Sequence, residues 1–436
     1  MHFKVSPSKV EDARVTVPGD KSVSHRSLML GSIAIGRTDV SGFLAGEDCL
    51  QTLAAMRALG VSIEQPGPTE ISIEGVGLNG LRASEKALDL GNSGTAMRLM
   101  AGLLSGQVFD SVLTGDASLT GRPMGRIITP LSQMGARIDS QNGKPPLRIL
   151  GRSELRAIDY ELPIASAQVK SALLLAGLYA KGTTYVTEPA VTRDHTERML
   201  RSMGVRVATA GRRISIEGGQ ALKGCRVKVP ADLSSAAFVI LAALLAQNAD
   251  IVIANVGVNP TRTGVINILQ SMGADISMEN AGQLGDEPVA DVRVRSSELR
   301  GRSVDPGLVS LAIDEFPVLF VAAAAATGNT VFSGIGELRV KESDRIAAMA
   351  EGMRRLGVTV DESPDGAVVH GGSFAGGSVE SFGDHRVAMS LAVAGTVASG
   401  EVIVRDVDAV DTSFPGFCAC MASIGANIEV VVEGSV

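Results

Sequence analysis

The chain has 436 residues, 45% of them hydrophobic, and a formal net charge of −7. That length exceeds one ordinary core, so two domains are expected, and the acidic balance argues against a nucleic-acid partner. Four cysteines and five histidines show no metal-caging spacing.

Aromatics make up only 3%, with no Trp, so the cores must be aliphatic and rich in alanine. The opening Met1-His2-Phe3-Lys4-Val5 lacks the apolar stretch of a signal peptide. The apolar run Ala236 to Ala246 is too short to cross a bilayer and reads as a buried helix. A cytoplasmic protein with buried, reduced thiols, no metal and no membrane or nucleic-acid partner is expected.

In chain order, Val15-Thr16-Val17 reads as a strand, Pro18-Gly19 as a turn, and the apolar run from Leu28 as a helix. Between them lies Gly19-Asp20-Lys21-Ser22-Val23-Ser24-His25-Arg26. Strand, turn and helix start bring backbone N–H groups and the positive end of a helix dipole to one point. With Lys21, Arg26 and the hydroxyls of Ser22 and Ser24 nearby, the place suits a phosphate monoester. The same cations are also compatible with a solvated helix start. A nucleotide-binding P-loop is excluded, because Asp20 separates Gly19 from Lys21.

Asp89-Leu90-Gly91-Asn92-Ser93-Gly94-Thr95-Ala96-Met97-Arg98 follows, small and glycine-rich, so that backbone can approach a ligand. Thr114 to Met124 is a polar loop in which Pro123 holds Arg122 extended. Ser166 can cap the helix that carries Gln168, a donor and acceptor together. At Ile313-Asp314-Glu315-Phe316-Pro317 two acids head an apolar helix. That arrangement suits the dipole, and partial desolvation would also make Asp314 a candidate general base. Arg339-Val340-Lys341-Glu342-Ser343-Asp344-Arg345 reads either as a solvated helix face or as two cations and an acid presented to a ligand, with Lys341, Glu342 and Arg345 three or four apart. Gly383-Asp384-His385-Arg386 again precedes an aliphatic helix.

A shorter pattern repeats through all of this. A helical segment ends in an apolar residue and glycine, then alternates apolar and polar as a half-buried strand does. Its glycines are Gly60, Gly135, Gly204, Gly273, Gly357 and Gly425, spaced 68 to 84 residues apart. A second strand follows in most copies, as in Ile71-Ser72-Ile73 and Leu147-Arg148-Ile149. Six units at near-constant spacing indicate a repeated supersecondary element, three to a domain. Seams at Pro18-Gly19 and near Val229 to Ser234 give one domain of 1–18 plus 233–436 and another of 19–232. A site in the cleft between them is expected.

With these stretches in view, the chain resembles the 5-enolpyruvylshikimate-3-phosphate synthase family over essentially its whole length. The resemblance rests on Gly-Asp-Lys-Ser-x-Ser-His-Arg, Gly-Asn-x-Gly-Thr, the Arg122 loop, Lys-Glu-Ser-Asp-Arg and Asp-His-Arg, in this order. Ser166-Ala167-Gln168-Val169-Lys170-Ser171 and Thr192-Arg193-Asp194-His195 look like the more divergent second class. The resemblance implies an α/β fold, a two-lobed inverse α/β barrel in which each lobe has three βαβαββ units. It implies transfer of the enolpyruvyl group of phosphoenolpyruvate to the 5-hydroxyl of shikimate 3-phosphate, with release of phosphate, no metal or organic cofactor, and a monomer. Carried over residue by residue, Lys21, Ser22, Arg26, Ser166, Gln168, Arg193, Asp314 and Lys341 hold shikimate 3-phosphate. Lys21, Gly94, Arg122, Gln168, Arg345 and Arg386 hold phosphoenolpyruvate. Asp314 takes the hydroxyl proton, Lys341 and Glu342 govern proton delivery to the methylene carbon, and Lys21 is counted with them as catalytic.

The chain departs from the family at Thr412, where many members carry lysine, at Glu337 for asparagine and at Leu99 for proline. A related transferase acting on a UDP-amino sugar shares the six-unit fold but carries a reactive cysteine near the Arg122 loop. No cysteine lies between Cys49 and Cys225. A non-catalytic repeat protein with a basic groove is the reading from another class, and it has no use for Asp314 and Glu342.

Overall fold

The computed structural model describes residues 1–152 and 154–432. The chain divides into two compact units: a terminal unit of Met1–Pro18, Pro230–Gln283 and Pro288–Val436, and a middle unit of Gly19–Val229 with Leu284–Glu287. The second boundary falls at Val229/Pro230, earlier than the expected 232/233. The cause is backbone pairing: Asp232 N–H donates to Pro18 O at 2.8 Å and Ala231 N–H to Asn255 O at 3.0 Å, which ties 230–232 to the terminal unit. Leu284–Glu287, the turn of a hairpin, was not foreseen in the middle unit. There Arg198 Nη1 donates to Asp286 O at 2.8 Å, and His195 Nδ1 lies 2.7 Å from Glu287 Oε1.

All six repeat glycines have positive φ, from 86° to 102°. Each ends a helix in a backbone conformation that costs glycine little and turns the chain into a strand. In five copies that strand forms a hairpin with the next one, for example Ser62–Gly67 with Glu70–Val76 and Val360–Ser363 with Gly366–His370. In the sixth copy no strand follows among the described residues. Its strand Asn427–Val431 pairs antiparallel with His2–Ser6, so the start of the chain completes the last repeat.

The described residues form six sheets, three in each unit. In every sheet the second hairpin strand, or His2–Ser6 in the sixth, also pairs antiparallel with a third strand, such as Glu70–Val76 with Ala34–Ser41. A parallel partner on that third strand comes from chain just after a different repeat. Arg226–Lys228, which follows the third copy, pairs parallel with Ala34–Ser41 of the first. Ala13–Val15 pairs parallel with Asp250–Gly257 in the same way. Three copies thereby close on themselves in each unit.

Inside each closed set run three helices with almost no exposed face. They are Lys21–Ser32, Gly94–Ser105 and Ala167–Gly177 in the middle unit, and Leu233–Leu245, Phe316–Ala325 and His385–Thr396 in the terminal unit. Of these, Leu233–Leu245 and Phe316–Ala325 are apolar on nearly all sides, as helices in a core are. Small residues let these helices approach closely. A Cβ on Gly102 would lie 2.2 Å from Ala172 O, so only glycine fits at that crossing. Leu233–Leu245 is the buried helix expected around Ala236 to Ala246, and no helix among the described residues is long and apolar enough to cross a membrane.

Candidate active site

The helix carrying Lys21 begins at Lys21 itself, several residues before the apolar run from Leu28. Asp20 is its N-cap and accepts from Val23 N–H at 2.9 Å. Lys21, Ser22 and Arg26 therefore lie within its first two turns. Lys21 Nζ is ion-paired with buried Asp48. Arg26 is buried, and it donates through Nε to Thr196 Oγ1 at 2.7 Å, through Nη2 to Ser171 Oγ at 2.9 Å and through Nη1 to Ser22 O at 2.9 Å. Burial, with a smaller contribution from the charge of half-buried Arg193, lowers its basicity to about 10, although Glu197 and Asp20 act the other way. Three of five guanidinium N–H groups are thus spent on holding Arg26 in place.

His25, between them, is buried with Nδ1 2.8 Å from Thr52 Oγ1 and Nε2 3.3 Å from Ser93 Oγ. Burial, then the charges of Lys21 and Arg26, hold its pKa well below the ordinary 6.5. It is a neutral spacer joining the first helix to the cap of the second.

Ser93 is that cap, accepting from Ala96 N–H at 3.1 Å. At Gly94, the first residue of the helix, an added Cβ would lie 2.8 Å from Arg98 Nη1 and 3.2 Å from Arg122 Nη1. Arg122 has an extended backbone (ψ 141°), as the following proline requires, but its side chain is buried rather than solvent-facing. Its Nη2 donates to Asn92 Oδ1 at 2.6 Å and Ser118 Oγ at 3.1 Å. Arg98 Nη1 donates to Gln168 Oε1 at 2.6 Å, and Gln168 Nε2 to Thr95 Oγ1 at 2.9 Å. Ser166 caps the Gln168 helix by accepting from Val169 N–H at 3.4 Å. Two guanidinium groups meeting over the N-terminus of a buried helix suit an anion.

In the terminal unit, Asp314 precedes the helix Phe316–Ala325. Its Oδ1 lies 3.5 Å from both Lys341 Nζ and Arg345 Nη1, and its carbonyl accepts from Arg386 Nη1 at 3.0 Å. The expected apolar surroundings are thus replaced by two cations, each 3.5 Å from the Asp314 carboxylate. Arg345 is 1% exposed; Nε donates to Asp384 Oδ2 at 2.8 Å and Nη2 to Glu342 Oε2 at 2.7 Å. Burial opposes its charge, but Asp384, Glu342 and Asp314 outweigh burial and raise its basicity. Its Nη1 is buried with no hydrogen-bond acceptor. A buried donor without a hydrogen bond is costly, and the Asp314 carboxylate at 3.5 Å offsets part of that cost by charge.

The helical spacing proposed for Lys341 and Arg345 is corrected by the structure. Helix Arg345–Arg355 starts only at Arg345, capped by Asp344, whose Oδ1 accepts from Ala347 N–H at 3.0 Å. Lys341 and Glu342 lie ahead of it in irregular chain. The groups come together around an N-cap, not along a helix face. Asp344 takes the cap because its short acceptor outcompetes a further helical turn there.

Both clusters are on the ends of the buried core helices. Among the described residues no group of three or more His, Cys, Asp or Glu could hold a metal. The family model for EPSP synthase (3-phosphoshikimate 1-carboxyvinyltransferase) matches residues 5–421. The chain belongs to this family.

Relatives within the EPSP synthase family agree along the whole length. The 3-phosphoshikimate 1-carboxyvinyltransferase of Methylococcus capsulatus is 56% identical over 429 residues, 98% of each chain. That of Alkalilimnicola ehrlichii is 57% identical, covering 98% of this chain and 96% of the relative. An EPSP synthase structure from Acinetobacter baumannii matches with a TM-score of 0.88 at 52% identity, covering 99% of this chain and 100% of that one. The enolpyruvyl transferase NikO from Streptomyces tendae, at 15% identity and a TM-score of 0.77 over 98% of both chains, shares the mixed α/β fold.

Several members of these clusters had no role assigned from the sequence. Asp48 and Arg262 carry no local signal. Asn92, Arg98 and Glu315 were read as parts of their stretches, without a partner for their side chains. Glu315 and Arg262 form a buried network: Glu315 Oε1 accepts from Ser234 Oγ and lies 3.5 Å from Arg386 Nη1, while Arg262 Nη2 donates to Ser234 Oγ at 2.7 Å. The thiols also differ from expectation. All four cysteines are free, but only Cys49 is buried. The other three are half-buried, Cys225 between two short strands and Cys418 and Cys420 on the helix Phe417–Ala422.

Proposed function

We propose that the chain catalyses transfer of the enolpyruvyl group from phosphoenolpyruvate to the 5-hydroxyl of shikimate 3-phosphate, the 3-phosphoshikimate 1-carboxyvinyltransferase step of the shikimate pathway. The observation that carries this reading is Asp314, an acid at 3.5 Å from both Lys341 and Arg345 with Arg386 on its own carbonyl. Asp314 accepts the 5-hydroxyl proton as the oxygen adds to C2 of phosphoenolpyruvate. Lys341 and Glu342 deliver a proton to the methylene carbon, while Lys21 contacts both substrates. The tetrahedral adduct then loses a methyl proton and inorganic phosphate, which restores the double bond.

Lys21, Ser22, Arg26, Ser166, Gln168 and Arg193, with Asp314 and Lys341, bind shikimate 3-phosphate. Lys21, Gly94, Arg122, Gln168, Arg345 and Arg386 bind phosphoenolpyruvate. The two substrates bring two phosphates and two carboxylates, so the chemistry needs an excess of Arg and Lys to neutralise them. Proton transfer and anion stabilisation by side chains suffice, without a metal or organic cofactor. Ser166 to Ser171 and Thr192 to His195 support placement in the second, more divergent class of the family.

Phosphate release measured with both substrates, and with each omitted, tests the reading. Release is expected only with both present. Asp314→Ala and Lys21→Met should lower it by at least about 100-fold with unchanged thermal unfolding. Turnover retained in either variant removes that residue from the mechanism.

A further inference from the structure

Lys170 plays no part in the reaction described above, yet it is 1% exposed and fully engaged. Its ammonium lies 3.1 Å from Glu188 Oε2, 2.8 Å from Glu197 Oε1 and 3.3 Å from Thr192 O, three acceptors for three N–H donors. Glu188 and Glu197 are 3% and 1% exposed, and Thr192 Oγ1 donates to Glu188 Oε1. Buried ion clusters add little stability over well-packed apolar residues of the same size. What this one supplies is geometry.

That geometry converges on one stretch of chain. Both carboxylates and the Thr192 carbonyl belong to residues 188–197, so a single ammonium fastens the segment at both ends and beside Arg193. At the far end Thr196 Oγ1 accepts from Arg26 Nε at 2.7 Å and donates to Ser171 Oγ at 2.8 Å. Ser171, next to Lys170 in the helix, also accepts from Arg26 Nη2 at 2.9 Å. Lys170 and Ser171 together fix the segment that carries Arg193 and the hydroxyl that orients Arg26.

We infer that Lys170, Glu188 and Glu197 form a positioning clamp for binding of the phosphorylated acceptor substrate, setting Arg26 and Arg193 against one anionic molecule. The inference rests on the proposed function for its ligand. Loosening the clamp lets the two guanidinium groups drift apart, which weakens binding of shikimate 3-phosphate and leaves the phosphoenolpyruvate groups at Gly94 and Arg122 in place.

Steady-state kinetics for each substrate, with calorimetric titration of shikimate 3-phosphate, provides the test. Glu188→Ala should raise the KM and dissociation constant for shikimate 3-phosphate about 10- to 100-fold, with a much smaller change in kcat and in KM for phosphoenolpyruvate. Glu188→Gln, whose amide oxygen can accept from Lys170 while its Nε2 donates to Thr192 Oγ1, should restore most of the wild-type KM. Should Glu188→Ala fail to fold, Thr192→Val against Thr192→Ser gives the same contrast with one hydroxyl. A fall in melting temperature or kcat with both KM values unchanged would overturn the clamp, as would equal rises in both KM values. If the wild-type protein itself fails to turn over the two substrates, the proposed function falls first and the clamp loses its assigned ligand with it.

Discussion

Arg345 and Asp384 are joined by two hydrogen bonds, Nε to Oδ2 at 2.8 Å and Nη2 to Oδ1 at 3.4 Å, with neither side chain more than 1% exposed. Asp384 also caps the helix His385–Thr396, accepting from Arg386 N–H at 2.9 Å. One carboxylate thus orients two of the arginines assigned to phosphoenolpyruvate.

Asp384→Asn keeps an acceptor for the cap but leaves Arg345 buried without its main counter-charge. Removal of one partner from a buried pair costs about 3–5 kcal/mol, and urea unfolding should show a loss of that order. The Asp384 carboxyl is also held below the usual 3.8: burial pushes it up, but Arg345 outweighs burial. Its contribution is therefore complete above the unfolded value and lost as pH falls below about 4. Wild-type unfolding followed from pH 5 downward should steepen there, and the variant should not.

His25 acts at higher pH. Its folded pKa lies well below 6.5, so the unfolded chain binds this proton first as pH falls. Stability from His25 is present above 6.5 and declines by about 1.4 kcal/mol per pH unit below it. Urea midpoints at pH 7, 6 and 5 check this. Replacement with Gln, which keeps hydrogen-bonding groups but cannot titrate, should flatten the slope.

Gly94→Ala tests the space between Arg98 and Arg122. The new methyl would lie 2.8 Å from Arg98 Nη1, so that guanidinium must move and strain its 2.6 Å bond to Gln168. KM for phosphoenolpyruvate should rise by about 10-fold, and inhibition by longer phosphonate analogues should weaken more. Equal inhibition constants in the variant and the wild type would show that Gly94 does not bound their site.

Cys418 and Cys420 should react slowly. Burial pushes each thiol up to about 11, helped at Cys418 by Asp411. The thiolate fraction at pH 8 is then about one in a thousand. Iodoacetamide labelling should be at least about 30-fold slower in the native protein than in urea. Equal rates would show that these helix-end thiols open to solvent.

The six-part architecture was legible in the sequence because its signal is local. A glycine at a helix end followed by an alternating strand needs no distant partner to be recognised, and all six glycines adopt the positive φ that such an end requires. The cationic stretches at Lys21, Arg122, Arg345 and Arg386 were legible for the same reason: each pairs a turn or cap with charged side chains a few residues away.

What only the tertiary structure decided depends on groups far apart in the chain. The pairing of His2–Ser6 with Asn427–Val431, the joining of Lys21 to Asp48, and the three acceptors around Lys170 have no sequence spacing to announce them. Lys341 and Glu342 show the limit most clearly. Their composition marked them as a site, yet helical spacing misdescribed them, because a capping bond from Asp344 ended the helix before it reached them. Composition states which charges are present. Burial and closure of the core helices set which of them meet.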